Sequence, residues 1–199
     1  MAKGSPMKIL LIQGHPDRAR GHLCHALADA YLDGARFGGH DVELFECAQH
    51  EFPVLRSEAD WKEGSDSVPA SLQGIQQALI DTDHVVLIYP LWLGTMPALV
   101  KALLEQLLRP GVALDYVAGY PKPMLKGKSA RIVITMGMPA LAYRWYFFAH
   151  SLKNLERNIL GMVGFKPIRS TLLGMVVNAS ESKRQKWFTK MRSLGERAI

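Results

Sequence analysis

Three runs of the chain are apolar almost without interruption: Met7-Lys8-Ile9-Leu10-Leu11-Ile12-Gln13, His84-Val85-Val86-Leu87-Ile88-Tyr89 and Ala130-Arg131-Ile132-Val133-Ile134-Thr135. A strand covered on both faces needs no polar side and reads this way, whereas a half-covered strand alternates. Asp41-Val42-Glu43-Leu44-Phe45 alternates and predicts a more exposed strand, and Ile168-Arg169-Ser170-Thr171-Leu172-Leu173 predicts a fifth. Helical spacing fills the intervals. Over 22–37, Leu23, Ala26, Leu27, Ala30 and Tyr31 share one face, and Gly38-Gly39 stops the run. Pro69 opens a helix reaching Ile80, and Pro97 opens one reaching Leu108, ahead of Pro110-Gly111. Further helices are predicted over 152–162 and 181–194. Strand and helix alternate from end to end, which with short right-handed crossovers implies an α/β fold: a doubly wound, five-stranded parallel sheet of order 2-1-3-4-5. One domain is expected over 7–199, with residues 1–6, ahead of the first apolar run, disordered.

Composition narrows this picture without changing it. A chain of 199 residues buries a core without disulfides or metals. Cys24 and Cys47 are the only cysteines, too few for a disulfide framework, and predict reduced thiols and a cytoplasmic location. There is no 18-residue apolar stretch and no basic segment leading into an apolar block, so neither membrane insertion nor an export signal is expected. The formal charge of +6 suits a phosphate-bearing ligand. Nucleic acid is the competing partner, but the basic residues are scattered. Their one dense run, Lys183-Arg184-Gln185-Lys186, reads as a solvated helix face, and no recognition signature accompanies it. His25, His40, His50 and His84 lack paired spacing, so no metal site is expected.

In such sheets ligands bind beyond the carboxyl ends of the strands, where the strand order reverses. The loops after strands one, three and four are the ones to read. After strand one, Gly14-His15-Pro16-Asp17-Arg18-Ala19-Arg20-Gly21-His22 opens onto a helix, whose free N–H groups and positive end favour an anion, with His15, Arg18, Arg20 and His22 as cationic donors. It is neither a dinucleotide fingerprint nor a Walker-type loop. After strand three, Tyr89-Pro90-Leu91-Trp92-Leu93-Gly94-Thr95-Met96-Pro97 is apolar and aromatic where a turn is normally polar, and it reads either as a wall for a flat ligand or as core cover. After strand four, Gly137 in Thr135-Met136-Gly137-Met138 permits close backbone approach. The cluster Tyr143-Arg144-Trp145-Tyr146-Phe147-Phe148 that comes next reads as pocket, core or subunit contact.

Taken in order, the three loops resemble the flavodoxin-like NAD(P)H:quinone oxidoreductases of DT-diaphorase, modulator-of-drug-activity and potassium-efflux ancillary type. The carriers of the resemblance are Gly14-His15-Pro16, the spacing Pro90-Leu91-x5-Pro97-Ala98 followed by Lys101, and Thr135-x-Gly137 with Tyr143 and His150 beyond it. It implies a bound flavin, FAD or FMN, with NAD(P)H as hydride donor, a quinone-like acceptor, a two-step exchange and a homodimer. His15, Gly21, His22, Leu23 and Cys24, with Arg18 and Arg20 nearby, would hold the flavin phosphate. Pro90, Leu91, Trp92 and Leu93 would line the ring, and Thr135, Met136, Gly137 and Met138 would meet its pyrimidine edge. Tyr143 and His150 take the catalytic positions, the first opposing developing negative charge, the second relaying a proton. Several positions depart from the pattern: Gly21, His22 and Cys24 replace hydroxyl and amide side chains, and Met138-Pro139 replaces a second glycine. A low-turnover regulatory flavoprotein of a transport protein is the alternative. An electron-carrier flavodoxin fits poorly, since a pI of about 9.4 reverses the usual docking charge.

Overall fold

The computed structural model describes residues 5–117 and 119–199; residues 1–4, most of the segment expected to be disordered, lie outside the described residues. The five anticipated strands are β1 (Lys8–Gln13), β2 (Asp41–Glu46), β3 (His84–Pro90), β6 (Ser129–Thr135) and β7 (Ile168–Leu173), with a short hairpin, β4 (Leu114–Val117) and β5 (Tyr120–Pro123), between β3 and β6. The main sheet is parallel throughout, in the order β2-β1-β3-β6-β7, the predicted 2-1-3-4-5 arrangement. The antiparallel hairpin was not anticipated. Its strands are four residues long, mostly exposed and rich in proline, so they carry no alternating apolar signal.

Successive side chains of a strand point to opposite faces, so a strand at the centre of a covered sheet supplies two cores. Ile9, Leu11, Val86, Ile88 and Val133 face one layer, made by α1 (Leu23–Gly38) and α8 (Glu181–Glu196). Leu10, Ile12, Leu87, Ile132 and Ile134 face the other, made by α3 (Ala70–Asp81), α4 (Ala98–Leu107) and the segment after β6. That segment comprises α5 (Ala140–Trp145), α6 (His150–Asn154), a π-helical stretch Leu155–Leu160 and a closing turn, α7 (Gly161–Val163). The helix expected over 152–162 therefore begins two residues earlier and widens midway. A further short helix, α2 (Glu58–Lys62), is held by a capping box between Ser57 and Asp60. Among the described residues no helix is long and apolar enough to cross a membrane.

Candidate functional site

Gly14 leaves β1 with its N–H donating to the Ile88 carbonyl at 2.7 Å, and a Cβ there would lie 2.6 Å from Val100 Cγ2. Only glycine lets the chain turn so tightly against β3. The turn buries His15, whose ring stacks on His22 at 3.8 Å and lies 5.8 Å from His25 and 5.9 Å, edge-on, from Trp92. His15 Nδ1 accepts the Asp17 N–H at 3.2 Å, and His22 Nε2 sits 2.8 Å from Asp17 Oδ2. His22 occupies the cap position of α1 without capping it, and the first turn carries no acid, so the positive end of this helix is left open. Burial, then the neighbouring imidazoles His22 and His25, hold the His15 pKa below its ordinary value, and burial also lowers that of His25. Among the described residues no group of three His, Cys, Asp or Glu is disposed to hold a metal ion.

The other expected phosphate contacts divide. Gly21 is exposed with open space above it, and Leu23 and Cys24 form the first turn of α1. Arg18 and Arg20, anticipated as cationic donors at this helix end, are already paired. Arg18 binds the Ala48 carbonyl and Glu51, each at 2.9 Å, and Arg20 binds Asp29 at 2.8 Å with Glu46 at 3.8 Å. Those partners come from β2, the loop after it and α1. The Cys24 thiol lies 3.4 Å from Thr135 Oγ1, and burial raises its pKa to about 11, so it ties α1 to the end of β6 as a neutral thiol.

Pro90 ends β3, and the Leu91 N–H donates to the Thr135 carbonyl at 2.8 Å. Trp92 and Thr95 then exchange N–H···O bonds at 2.9 and 3.0 Å around Leu93 (φ 46°) and Gly94 (φ 80°). Two central residues with positive φ make a tight turn of the primed kind, and a leucine there carries strain. Beside it opens a cleft of about 460 Å³ lined by Trp92, Leu93, Met96, Pro97, Lys101 and Asn154.

Beyond β6, the Met136 N–H donates to the Leu173 carbonyl and its own carbonyl accepts from Val176, while the Met138 carbonyl accepts from Met175. Among the described residues the Gly137 and Met138 N–H groups have no acceptor, and Gly137 is exposed. Two amides are thus presented at the same sheet edge as His15 and Trp92.

Tyr143 and His150 part company. Tyr143 is 2% exposed; its hydroxyl lies 2.7 Å from Ser151 Oγ and accepts the Leu152 N–H at 3.1 Å. Ala149, the residue preceding α6, has no side chain with which to cap it, so the tyrosine hydroxyl takes over that duty from nine residues away. The His150 ring is exposed and lies edge-on to Phe148 at 5.8 Å. Tyr143→Phe is accordingly expected to cost about 1–2 kcal/mol of stability, because it strips a buried N–H and a hydroxyl of their shared partner. Urea unfolding checks this, and an unchanged midpoint would remove the capping role.

Sequence reasoning passed over Asn154 and set His25 aside. The spacing of His22 and His25, three apart on a helix, was a legible sign that they share a face. Asn154 carried no sign, because the start of α6 is set by a turn at Phe148 and Ala149, both at positive φ, where neither residue type suggests one.

Similarity to known proteins runs along most of the chain. An uncharacterized NAD(P)H oxidoreductase of Haemophilus influenzae is 25% identical over 170 residues, 84% of each chain. An FMN-dependent NADH:quinone oxidoreductase of Shewanella amazonensis is 28% identical over 119 residues, 56% of this chain and 61% of that one. The NAD(P)H:quinone oxidoreductase of Methanothermobacter marburgensis superposes with a TM-score of 0.84 at 19% identity, covering 98% of this chain and 100% of the other. Residues 7–194 match the model of the family described as having the flavodoxin-like fold, and the chain belongs to that family.

Proposed function

We propose that this protein is a flavin-dependent NAD(P)H:quinone oxidoreductase, working by two-step exchange at the carboxyl edge of its sheet. The observation that carries the reading is the convergence of three loops. Gly14 is bonded to Ile88, Leu91 to Thr135 and Cys24 to Thr135, while His15 meets Trp92. Around that meeting point lie an uncapped helix end and two amides without acceptors, polar groups that a ligand would satisfy. The residues present fit a flavin.

A bound flavin would supply the hydride acceptor and donor between the two half-reactions. The amides at the start of α1, with Gly21, Leu23 and Cys24, and the imidazoles of His15 and His22 would hold its phosphate. Arg18 and Arg20 stand outside this shell and steer anions from the rim. Pro90, Leu91, Trp92 and Leu93 wall the ring, and Thr135 and Met136 support the Gly137 and Met138 amides, which would donate at the pyrimidine edge where negative charge develops. The cleft beside Trp92 takes the nicotinamide and then the quinone. His150 relays a proton at its ring nitrogen, and Tyr143 positions it by pinning the start of α6.

Leu141, Trp145, Tyr146, Phe147 and Phe148 are all exposed on α5 and the turn after it. A contiguous apolar surface of this kind marks an interface, and a homodimer covering it beside the active site is part of the proposal, as is a cytoplasmic setting for the two buried thiols.

The purified protein is expected to show flavin absorbance, to bleach with NAD(P)H and to recover with a quinone. The mass of the released cofactor separates FMN from FAD, and sedimentation reads the dimer. Colourless protein that takes up neither FMN nor FAD would overturn the reading. Bound flavin without turnover would favour the regulatory alternative.

A further inference from the structure

Four observations at the start of α1 stand together. The helix end is uncapped and has no acid in its first turn. Both arginines of the preceding loop are committed elsewhere, Arg18 to Ala48 and Glu51, Arg20 to Asp29 and Glu46. Three imidazoles, His15, His22 and His25, lie within 6 Å of one another by ring centres, and two of them are buried, at 8% and 4% exposure. Finally, both buried rings hold a nitrogen without a partner. His15 Nδ1 is occupied as an acceptor, which leaves its proton on Nε2, and Nε2 makes no hydrogen bond among the described residues. His25 Nδ1 is buried and likewise unpaired.

We propose that this histidine cluster makes phosphate binding at α1 proton-coupled: the site takes a phosphate monoester together with a proton, and releases both as pH rises. The proposal rests on the flavin reading above and adds a regulatory property to the same site.

The reason is charge balance. A phosphate monoester carries nearly two negative charges at neutral pH, and a helix end offsets about half of one. With both guanidinium groups turned to carboxylates at the solvent-exposed rim, the cations closest to the helix end are the imidazoles. The fixed charges that face them are few. Asp17, on the loop, contacts His22; Glu46 of β2 lies 4.0 Å from His25 Nε2; Asp29 of α1 is taken by Arg20; Glu51, in the loop after β2, is taken by Arg18; and the β3 loop offers the uncharged Trp92. In the free protein, burial and mutual repulsion keep His15 and His25 below their ordinary pKa, so these two rings are neutral at pH 7. An arriving dianion reverses that balance, and one imidazolium forms as it binds.

The test is titration of the flavin-free protein with FMN between pH 6.5 and 8.5, followed by quenching of flavin fluorescence, with riboflavin as the probe lacking phosphate. The FMN Kd is expected to rise ~3- to 10-fold per pH unit, the upper figure corresponding to one proton taken up, while the riboflavin Kd stays level. Calorimetry in two buffers of different ionisation heat should count close to one proton absorbed per FMN. His22→Gln, which removes the imidazole and is not among the favoured helix caps, should flatten the FMN curve; should that variant fail to fold, the proton count on the unaltered protein decides alone. FMN binding that is independent of pH, with no proton uptake, overturns this proposal and leaves the flavin function standing. Failure to bind FMN at any pH overturns both.

Discussion

A Gly174→Val protein is expected to lose several kcal/mol of stability and to bind flavin at least tenfold more weakly. Gly174 comes directly after β7, and a Cβ on it would fall 2.3 Å from the Ala140 nitrogen, 2.8 Å from the Met138 carbonyl oxygen and 3.0 Å from the Pro139 carbonyl carbon. All three are backbone atoms, so no side-chain rotation can relieve the contact. The loop after β6 has to move away from β7, and in moving it abandons the bonds that Met136 and Met138 make with residues 173–176. Overpacking of this kind costs about 1–3 kcal/mol before the lost hydrogen bonds are added. The same displacement carries off the Gly137 and Met138 amides. If these meet the flavin, its affinity falls by at least the 1.4 kcal/mol that corresponds to tenfold. Urea unfolding and a fluorescence titration read the two effects separately. Lost stability with intact flavin affinity would place the cofactor's polar edge elsewhere.

Acid should weaken the fold by about 3 kcal/mol between pH 6.5 and pH 4, chiefly through His84. This residue begins β3, at the opposite end of the sheet from the candidate site, and is 1% exposed. Its Nδ1 pairs with Ser129 Oγ at 2.7 Å, while Nε2 is buried without a partner. Burial, followed by repulsion from Arg131 and Arg169, lowers its pKa to about 4. In the unfolded chain an ordinary imidazole protonates near 6.5. Between these values the unfolded state holds the extra proton, so unfolding becomes easier as pH falls and the loss is complete below about 4. Above 6.5 both states are neutral and His84 contributes no slope. His15 and His25, also lowered, add to the same trend. Denaturation of the flavin-free protein across this range should show the decline, and His84→Leu should remove most of it. An identical slope in the variant would assign the acid sensitivity to other groups.

These expectations draw unequally on sequence and structure. The sheet was legible because β1, β3 and β6 are buried on both faces and so carry runs of Val, Ile and Leu through their centres, a pattern that a one-dimensional reading detects directly. The order of the strands came from chirality and short crossovers, which act on any alternating chain. The site's location came from the same topology, and the unusual residues at the ends of β1, β3 and β6 marked the loops. The hairpin at 114–123 left no mark, since its exposed strands have no buried face to imprint on the sequence. Nor did the widened turn at Leu155–Leu160, a matter of one hydrogen-bond step.

Within the site, residue type and position along the chain were determined by sequence, but what each polar group does was decided by neighbours far away in the chain. Arg18 and Arg20 read as anion donors, and only packing reveals that Glu51 meets the first while Asp29 and, further off, Glu46 meet the second. The hydroxyl of Tyr143 reads as a catalytic donor, and only the turn at Phe148 and Ala149 reveals that it also holds the uncapped start of α6. His15 stacks on His22 only because Gly14 turns against Val100. Apolar patterning survives in sequence because burial is set by the face of an element, a local property. The use of a charge or a hydroxyl depends on a hydrogen-bond partner within about 3 Å, and only the packed chain supplies one.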